Sequence, residues 1–376
     1  MQKDLPESIL QFGTGKFLRC FADLFAEEAN GTEQPVGRVV VLQSTGNARV
    51  RQLRARGCRY HVAIRGLQHG ERTDRVEVVQ SISRALATSE DWQEVLQVAR
   101  SSVLRAVVSN TTEAGFRLED DDPPGASPPR SFPAKLLAVL QARHESGRPG
   151  LVILPCELLD DNADRLLELV LEQAARWRVS EDTVAWLRSE CRWHNTLVDR
   201  IVSAPGADDP LATDDPLYAV AEPFALWLVE GLVESAVALP GLASHPSVQT
   251  VERLEPYCLR KVRILNGAHT ALVAKAMPLG FQTVRQAVLD KDVGSWLESL
   301  LFGEIVPALE GRTDDPEQFA RETLERFANP FLEHRLADIA LHHEVKRQTR
   351  LVPTRDEYRR RFGRMPRLLD DLLGSS

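Results

Sequence analysis

The chain has 376 residues, 43% hydrophobic and 27% charged, with a formal net charge of −8 at pH 7. That length exceeds one ordinary core and predicts two domains. The mixed composition excludes a fibrous or disordered chain, and the negative balance gives no basis for a nucleic-acid partner.

Five cysteines (Cys20, Cys58, Cys156, Cys191 and Cys258) are scattered singly, without the spacing of a zinc site. No metal is therefore expected, and a reducing compartment is. The polar start, M-Q-K-D-L-P-E-S, does not read as a signal peptide, and no apolar run reaches transmembrane length. The expectation is a cytoplasmic protein without a membrane partner.

In chain order, residues 8–12 read as a short buried strand, followed by G-T-G-K-F-L-R and helical periodicity to 28. A second strand is predicted over 38–42. Residues 60–65 and 75–79 alternate like strands around a turn at His69-Gly70. A helix over 92–99 precedes a buried strand over 103–108, which ends in S-N-T-T-E-A-G-F. The run 119–130 holds four acids and four prolines and reads as an exposed, mobile loop.

Helices over 135–145, 164–178 and 181–190 surround a strand at 151–154, and 204–216 is a second acidic, proline-bearing loop. From about 251 strand signals thin out, and helices are expected over 254–276, 284–289, 292–309, 316–327 and 330–341. The alternation predicts an α/β protein: an N-terminal Rossmann-type doubly wound sheet with extra strands over 1–246, and a mainly α-helical domain over 247–376. The helix 254–276 would open the second domain and face the first across a cleft.

Gly13 and Gly15 sit between the first strand and the first helix, where a turn lets backbone N–H groups approach a pyrophosphate. Leu18 stands where the usual third glycine would be. The second strand ends at Gln43-Ser44, with no carboxylate to mark NAD and no adjacent arginine to mark NADP, so residues alone leave that choice open. The alternative is an ordinary strand-to-helix turn, and the position after the first strand of an alternating α/β chain favours the dinucleotide.

The segment K-V-R-I-L-N-G-A-H places Lys261, Asn266 and His269 at offsets of five and eight. On an α-helix these span about 140° of arc and about 12 Å, a gap that long side chains can bridge. An amine able to give up its proton, an amide donor and an imidazole together suit proton transfer at an alcohol or carbonyl without a metal. The plain alternative is a solvated Lys261/Arg263 face, a turn at Asn266-Gly267 and a core histidine.

Five segments, Q-F-G-T-G-K-F-L-R (11–19), S-N-T-T-E-A-G-F (109–116), P-C-E-L-L-D-D-N (155–162), N-T-L-V-D-R-I-V (195–202) and K-V-R-I-L-N-G-A-H-T (261–270), together resemble the polyol-specific long-chain dehydrogenases, the mannitol dehydrogenase family. Members of that family also lack the third glycine. Within it, I-L-Q-F-G-T-G-K-F-L-R, A-I-R-G-L, F-P-A-K-L and L-P-C-E-L look like a branch that reduces a ketouronate to an aldonate with NADH.

The resemblance implies an NAD-dependent oxidoreductase acting on a small sugar acid. Lys261 would be the general acid/base, Asn266 and Asn162 would hold the developing alkoxide, and His269 would orient the substrate. Gly13, Gly15, Phe17 and the run Asn110, Thr111, Thr112, Glu113 would line the cofactor site. Asn162 could instead cap the helix beginning near Asp164, and Asp199-Arg200 could be an internal ion pair. A uronate also needs a cation for its carboxylate. Arg326, Lys346, Arg347 and Arg350 are the candidates, whereas Arg263, two residues after Lys261, would point away. Which ketouronate or ketose is reduced stays open, as does a catalytically idle nucleotide-binding regulator. The resemblance also leads one to expect further helices at the C-terminus.

Overall fold

Strand β1 (Glu7–Phe12) is buried along five of its six residues, as a parallel strand covered on both faces must be. The computed structural model describes residues 4–68, 70–112, 115–206, 209–231, 239–331 and 334–374. In it β1 pairs in parallel with β2 (Arg38–Gln43) on one side. Strands β3 (Tyr60–Gln68), β4 (Glu71–Val79) and β5 (Ile82–Ala87) come next in the chain. On its other side β1 pairs in parallel with β6 (Ala106–Ser109). Strands β7 (Val152–Pro155) and β8 (Arg192–Trp193) complete a six-stranded sheet of order β5-β2-β1-β6-β7-β8.

The chain thus winds outward from β1 in one direction, then returns to β6 and winds outward in the other. The β1/β6 junction is the topological switch point, where the loops leaving the carboxyl ends diverge and a crevice opens. This is the doubly wound Rossmann-type sheet expected from the alternation of elements.

Helices α1 (Lys16–Arg19), α2 (Ala22–Asn30), α3 (Ala48–Ala55), α4 (Thr88–Ala99), α5 (Phe132–Glu145), α6 (Asn162–Arg176) and α7 (Glu181–Ser189) accompany the sheet. Leu10, Phe12, Val40, Leu42 and Val107 from the strands pack with Trp92, Val95, Leu136, Leu140 and Leu166 from the helices into one core. Two smaller sheets use β9 (Thr196–Asp199), β10 (Val202–Ser203), β11 (Ala219–Ala221), β12 (Leu226–Glu230) and β13 (Val248–Val251), in the orders β10-β11-β3-β4 and β13-β12-β9.

The chain divides into two compact units. The first is Met1–Ala63, Val76–Ala219 and Ala225–Leu254, and the second is Ile64–Arg75, Val220–Phe224 and Glu255–Ser376. The second is helical over its long segment, with a core of Ile264, Leu272, Leu297, Leu300, Phe319, Leu336 and Leu369 among others. Its helices are interrupted by π-helical turns at Lys261–Asn266, Leu301–Ile305 and Arg347–Leu351. Among the described residues no helix is long and apolar enough to cross a membrane.

Several expectations need correction. Strand β5 was not legible, because Arg84 interrupts its apolar pattern; that arginine is paired with Glu7 and Glu94. The strand expected over 103–108 begins only at Ala106. The first helix breaks at Phe21, whose φ of −130° and ψ of −94° lie outside the helical region. The helix expected over 330–341 reduces to Leu336–Ile339. Asn329 turns the chain by accepting from the Phe331 N–H, and the Leu336 N–H is taken by the Gln282 carbonyl. The acidic loop 119–130 is mostly exposed, but Asp122 is buried and accepts from the N–H groups of Arg130 and Ser131 and from the Ser131 hydroxyl.

Candidate active site

The glycine loop leaves β1 at the switch point. Gly13 has φ +125°, and a Cβ there would lie 3.0 Å from the Asn110 carbonyl oxygen and 3.1 Å from Leu18 Cδ1. Only glycine lets the loop pass this close to the chain leaving β6. Leu18 is fully buried against Gly13. The chain tolerates it in place of a third glycine because α1 is only four residues long and turns away at Phe21, so helix and strand need not touch backbone to backbone.

Gly15 is exposed, with open space around the position of a Cβ. A backbone that a ligand can approach closely, at a switch point and after the first strand, fits the diphosphate of a dinucleotide. Phe17 is half-buried and stacks on Phe21 at 4.9 Å.

At the carboxyl end of β6 the Asn110 N–H donates to the Phe12 carbonyl, and the Asn110 amide donates to the Cys156 carbonyl at 2.6 Å. Glu157, buried after β7, accepts from the Thr111 N–H at 2.8 Å and from the Ser109 hydroxyl at 3.0 Å. Burial pushes its carboxyl above the usual range, against those hydrogen bonds. Asn110, Thr111 and Thr112 therefore sit on the loop beside Gly13, with Thr112 exposed. Glu113 lies outside the described residues.

Asn162 does not present its amide to a ligand. It is fully buried; its Nδ2 donates to the carbonyls of Pro155, Glu157 and Thr196, each at 3.1 Å, and its Oδ1 accepts from the Thr196 N–H. The side chain staples β7 to β9, and the alkoxide role implied by the resemblance is not available to it. Nor does it cap α6. That cap comes from Asn195, whose Oδ1 accepts from the Ala163 and Asp164 N–H groups. Of the Asp199-Arg200 pair, both side chains are buried, and Arg200 donates to the Cys20 carbonyl at 2.8 Å.

In the second unit, Lys261 and Asn266 are the first and last residues of a π-helical turn, each half-buried. The arc expected from α-helical geometry is therefore wrong. In a π turn the hydrogen bonds run from i to i+5 and each turn holds more residues than in an α-helix, so backbone positions five apart lie on closer faces. Helical hydrogen bonding then resumes, with the Thr270 hydroxyl donating to the Asn266 carbonyl at 2.9 Å.

His269 follows on Gly267–Ala276, 7% exposed. Its ring stacks on Phe327 at 4.2 Å and meets the edge of His334 at 4.6 Å. Burial, reinforced by His334, Arg326, Arg350 and Lys346, holds it well below the usual histidine range, so the imidazole is neutral at physiological pH. Among the described residues its buried Nε2 has no hydrogen-bond partner.

The four cations proposed for a carboxylate separate clearly. Arg326 is buried, and its fork is closed on Glu222, Nε to Oε2 at 2.9 Å and Nη2 to Oε1 at 2.7 Å, with the guanidinium over the Phe224 ring. Arg347 is spent on Glu344 and on the Leu372 and Leu373 carbonyls. Lys346 donates to the Ile339 carbonyl at 2.7 Å. Arg350 lies on the π turn Arg347–Leu351, half-buried, and among the described residues its guanidinium reaches only the neutral Thr270 hydroxyl, at 3.3 Å. It is held there by backbone contact: Arg263 donates to the Thr349 and Arg350 carbonyls, and Gly267 packs against Leu351.

Gln11 and Arg19 were missed as site residues. Both are buried and donate to carbonyls of the glycine loop, Gln11 Nε2 to Gly13 at 3.0 Å and Arg19 Nη1 to Thr14 at 2.7 Å. The signal was a glutamine inside an otherwise apolar strand and an arginine inside F-L-R-C-F.

Residues 7–241 match the mannitol dehydrogenase Rossmann domain, and residues 253–369 match the mannitol dehydrogenase C-terminal domain. Curated relatives named altronate oxidoreductase include one from Halalkalibacterium halodurans, 39% identical over 97% of this chain and 73% of its own length. Another, from Bacillus subtilis, is 36% identical over 97% of this chain and 78% of its own length. Among solved structures, Pseudomonas fluorescens mannitol 2-dehydrogenase, a ternary complex with NAD and D-mannitol, superposes with a TM-score of 0.79 at 20% identity, over 99% of this chain and 79% of that one. A substrate-free D-sorbitol dehydrogenase gives the same TM-score at 22% identity, over 94% and 76% of the two chains.

Proposed function

The chain belongs to the mannitol dehydrogenase family, and from that premise we propose that it is an NAD-dependent oxidoreductase that reduces the keto group of D-tagaturonate to give D-altronate. The observation that carries this reading is the second unit's own chemistry. The π turn carries Lys261 and Asn266 five residues apart, the helix after it carries a neutral imidazole, and Arg350, from another turn, meets the Thr270 hydroxyl.

Gly13 and Gly15, with Asn110, Thr111 and Thr112 beside them, would hold the dinucleotide, whose reduced nicotinamide supplies the hydride. Protonated Lys261 gives its proton to the carbonyl oxygen as that oxygen gains negative charge, and takes one back in the reverse direction. The Asn266 amide donates to the same oxygen, where a fixed dipole lowers the barrier because it needs no reorganisation. Neutral His269 turns its buried Nε2 to a substrate hydroxyl and fixes the sugar's orientation. Arg350, with Lys346 nearby, takes the carboxylate of the uronate. Its planar fork suits two oxygens.

The test is NADH oxidation with tagaturonate, fructuronate and fructose. Tagaturonate should give the highest kcat/KM. A preference for fructuronate would overturn the substrate and leave the chemistry standing. Tight NADH binding with no turnover on any ketose or ketouronate would leave a nucleotide-binding regulator instead.

A further inference from the structure

The glycine loop is gripped from beneath. The Gly13 N–H is taken by the Leu42 carbonyl at 2.9 Å, and the Gly15 carbonyl accepts from the Arg19 N–H at 3.2 Å. Between these two backbone ties, the Gly13 carbonyl accepts from Gln11 Nε2 and the Thr14 carbonyl from Arg19 Nη1. Neither donor is free to swing. Gln11 is fully buried and Arg19 is 2% exposed. The Arg19 Nη2 also reaches the Leu217 carbonyl at 3.0 Å, and its guanidinium lies 5.7 Å from the Tyr60 ring, whose hydroxyl donates back to the Arg19 carbonyl.

A trans peptide is planar, and its carbonyl oxygen and the following N–H point to opposite sides. Pulling the Gly13 carbonyl into the protein therefore turns the Thr14 N–H outward. Pulling the Thr14 carbonyl inward does the same to the Gly15 N–H. Gly15 is the exposed residue of the loop, with open space before it. Two successive N–H groups facing one way make a concave site for an anion.

We propose that Gln11 and Arg19 are positioning residues that preset this loop, so that the N–H groups of Thr14 and Gly15 are presented as a pair to the diphosphate of a dinucleotide. The proposal rests on the dinucleotide reading of the first unit. It explains why an arginine is buried in this place: one rigid planar fork holds two carbonyls that lie far apart in the chain, in a geometry that a flexible ammonium does not preset. It also assigns the affinity of the loop to preorganisation, since the backbone does not have to be ordered when the anion arrives.

Binding of ADP and of adenosine to the full chain should be compared by calorimetry for wild type, Gln11→Met, Arg19→Met and Arg19→Lys, each checked for a cooperative melt. Gln11→Met keeps the volume and removes the donor. Gln11→Met and Arg19→Met should each weaken ADP by about tenfold or more while adenosine changes less than about twofold, and Arg19→Lys should fall between. Folded variants with an unchanged ADP-to-adenosine ratio would overturn the positioning role.

A second measurement needs no variant. In wild-type protein labelled with 15N-threonine and 15N-glycine, ADP should shift the Thr14 and Gly15 amide resonances and adenosine should not. Equal response to both ligands overturns the proposal. Wild-type protein that binds neither ADP nor NADH overturns the dinucleotide reading itself.

Discussion

Arg326 and Glu222 form a two-pronged ion pair, at 2.9 and 2.7 Å, with side chains only 3% and 1% exposed. A pair so deeply buried is costly to break from one side, because the remaining charge stays buried and loses its ionic partner. Arg326→Met should lower stability by about 3–5 kcal/mol. Replacing both residues with apolar ones of similar volume should restore much of that loss. Thermal unfolding of the single and double variants reads this directly. If the double variant were no better than the single one, the pair would not be the source of the loss.

Arg350 takes the opposite position. Its guanidinium is half-buried, burial holds it below its usual range, and among the described residues it meets only a hydroxyl. Arg350→Met should raise KM for a ketouronate by about 10- to 100-fold, with a smaller change in kcat and little effect on a neutral ketose. Equal losses on charged and uncharged substrates would assign Arg350 to folding and not to the carboxylate.

Lys261→Ala should lower kcat by about two to four orders of magnitude with NADH affinity unchanged. Asn266→Ala should cost about 3 kcal/mol of barrier and leave the Thr270 bond intact, since that bond uses the backbone carbonyl. A loss of less than about tenfold for Asn266→Ala would reduce it to a residue of the π turn.

Asn162→Ala should act on stability and not on chemistry. It strands the Thr196 N–H in a buried place and takes one donor from the carbonyls of Pro155 and Glu157, which keep the Thr196 hydroxyl and the Leu159 N–H, at a cost of about 1–3 kcal/mol. A stable variant with kcat down a hundredfold would return Asn162 to the reaction.

Asp23, fully buried on α2, has its carboxyl pushed up to about 7 by burial, against the Arg19 charge and hydrogen bonds from Tyr60 and Gln11. A raised carboxyl means that the folded state holds a proton the unfolded chain has already released. Its contribution is therefore fully present below the unfolded value of 3.8 and is lost as pH rises to about 7. The slope is at most about 1.4 kcal/mol per pH unit. His269 and His334 are held below the usual histidine range by burial, and they work the other way, removing stability as pH falls below about 6.5. The two trends oppose each other in wild type, so the difference between wild type and Asp23→Asn isolates the carboxyl. The variant should gain on wild type from pH 5 to 7 and then hold level. Parallel melting curves across that range would show that Asp23 does not titrate there.

The sequence by itself determined the parallel sheet, the glycine turn after its first strand and the placing of Lys261, Asn266 and His269 on one helical segment. Each is written in local signals: buried apolar runs, a Gly-x-Gly between strand and helix, and short offsets along one element. Tertiary structure decided what local periodicity cannot carry. A π turn follows from i to i+5 hydrogen bonding, which leaves no distinct hydrophobic pattern, yet it resets the faces on which Lys261 and Asn266 lie. Whether an arginine is available depends on partners far along the chain: Glu222 pairs with Arg326, the carbonyls of Leu372 and Leu373 occupy Arg347, and Arg350 meets the neutral Thr270 hydroxyl. Asn195 caps α6 from across the fold while Asn162, which begins that helix, is consumed inside it. Gln11 and Arg19 became legible only when their donors were seen to hold two carbonyls of the loop, because a buried polar side chain takes its meaning from the partner that satisfies it.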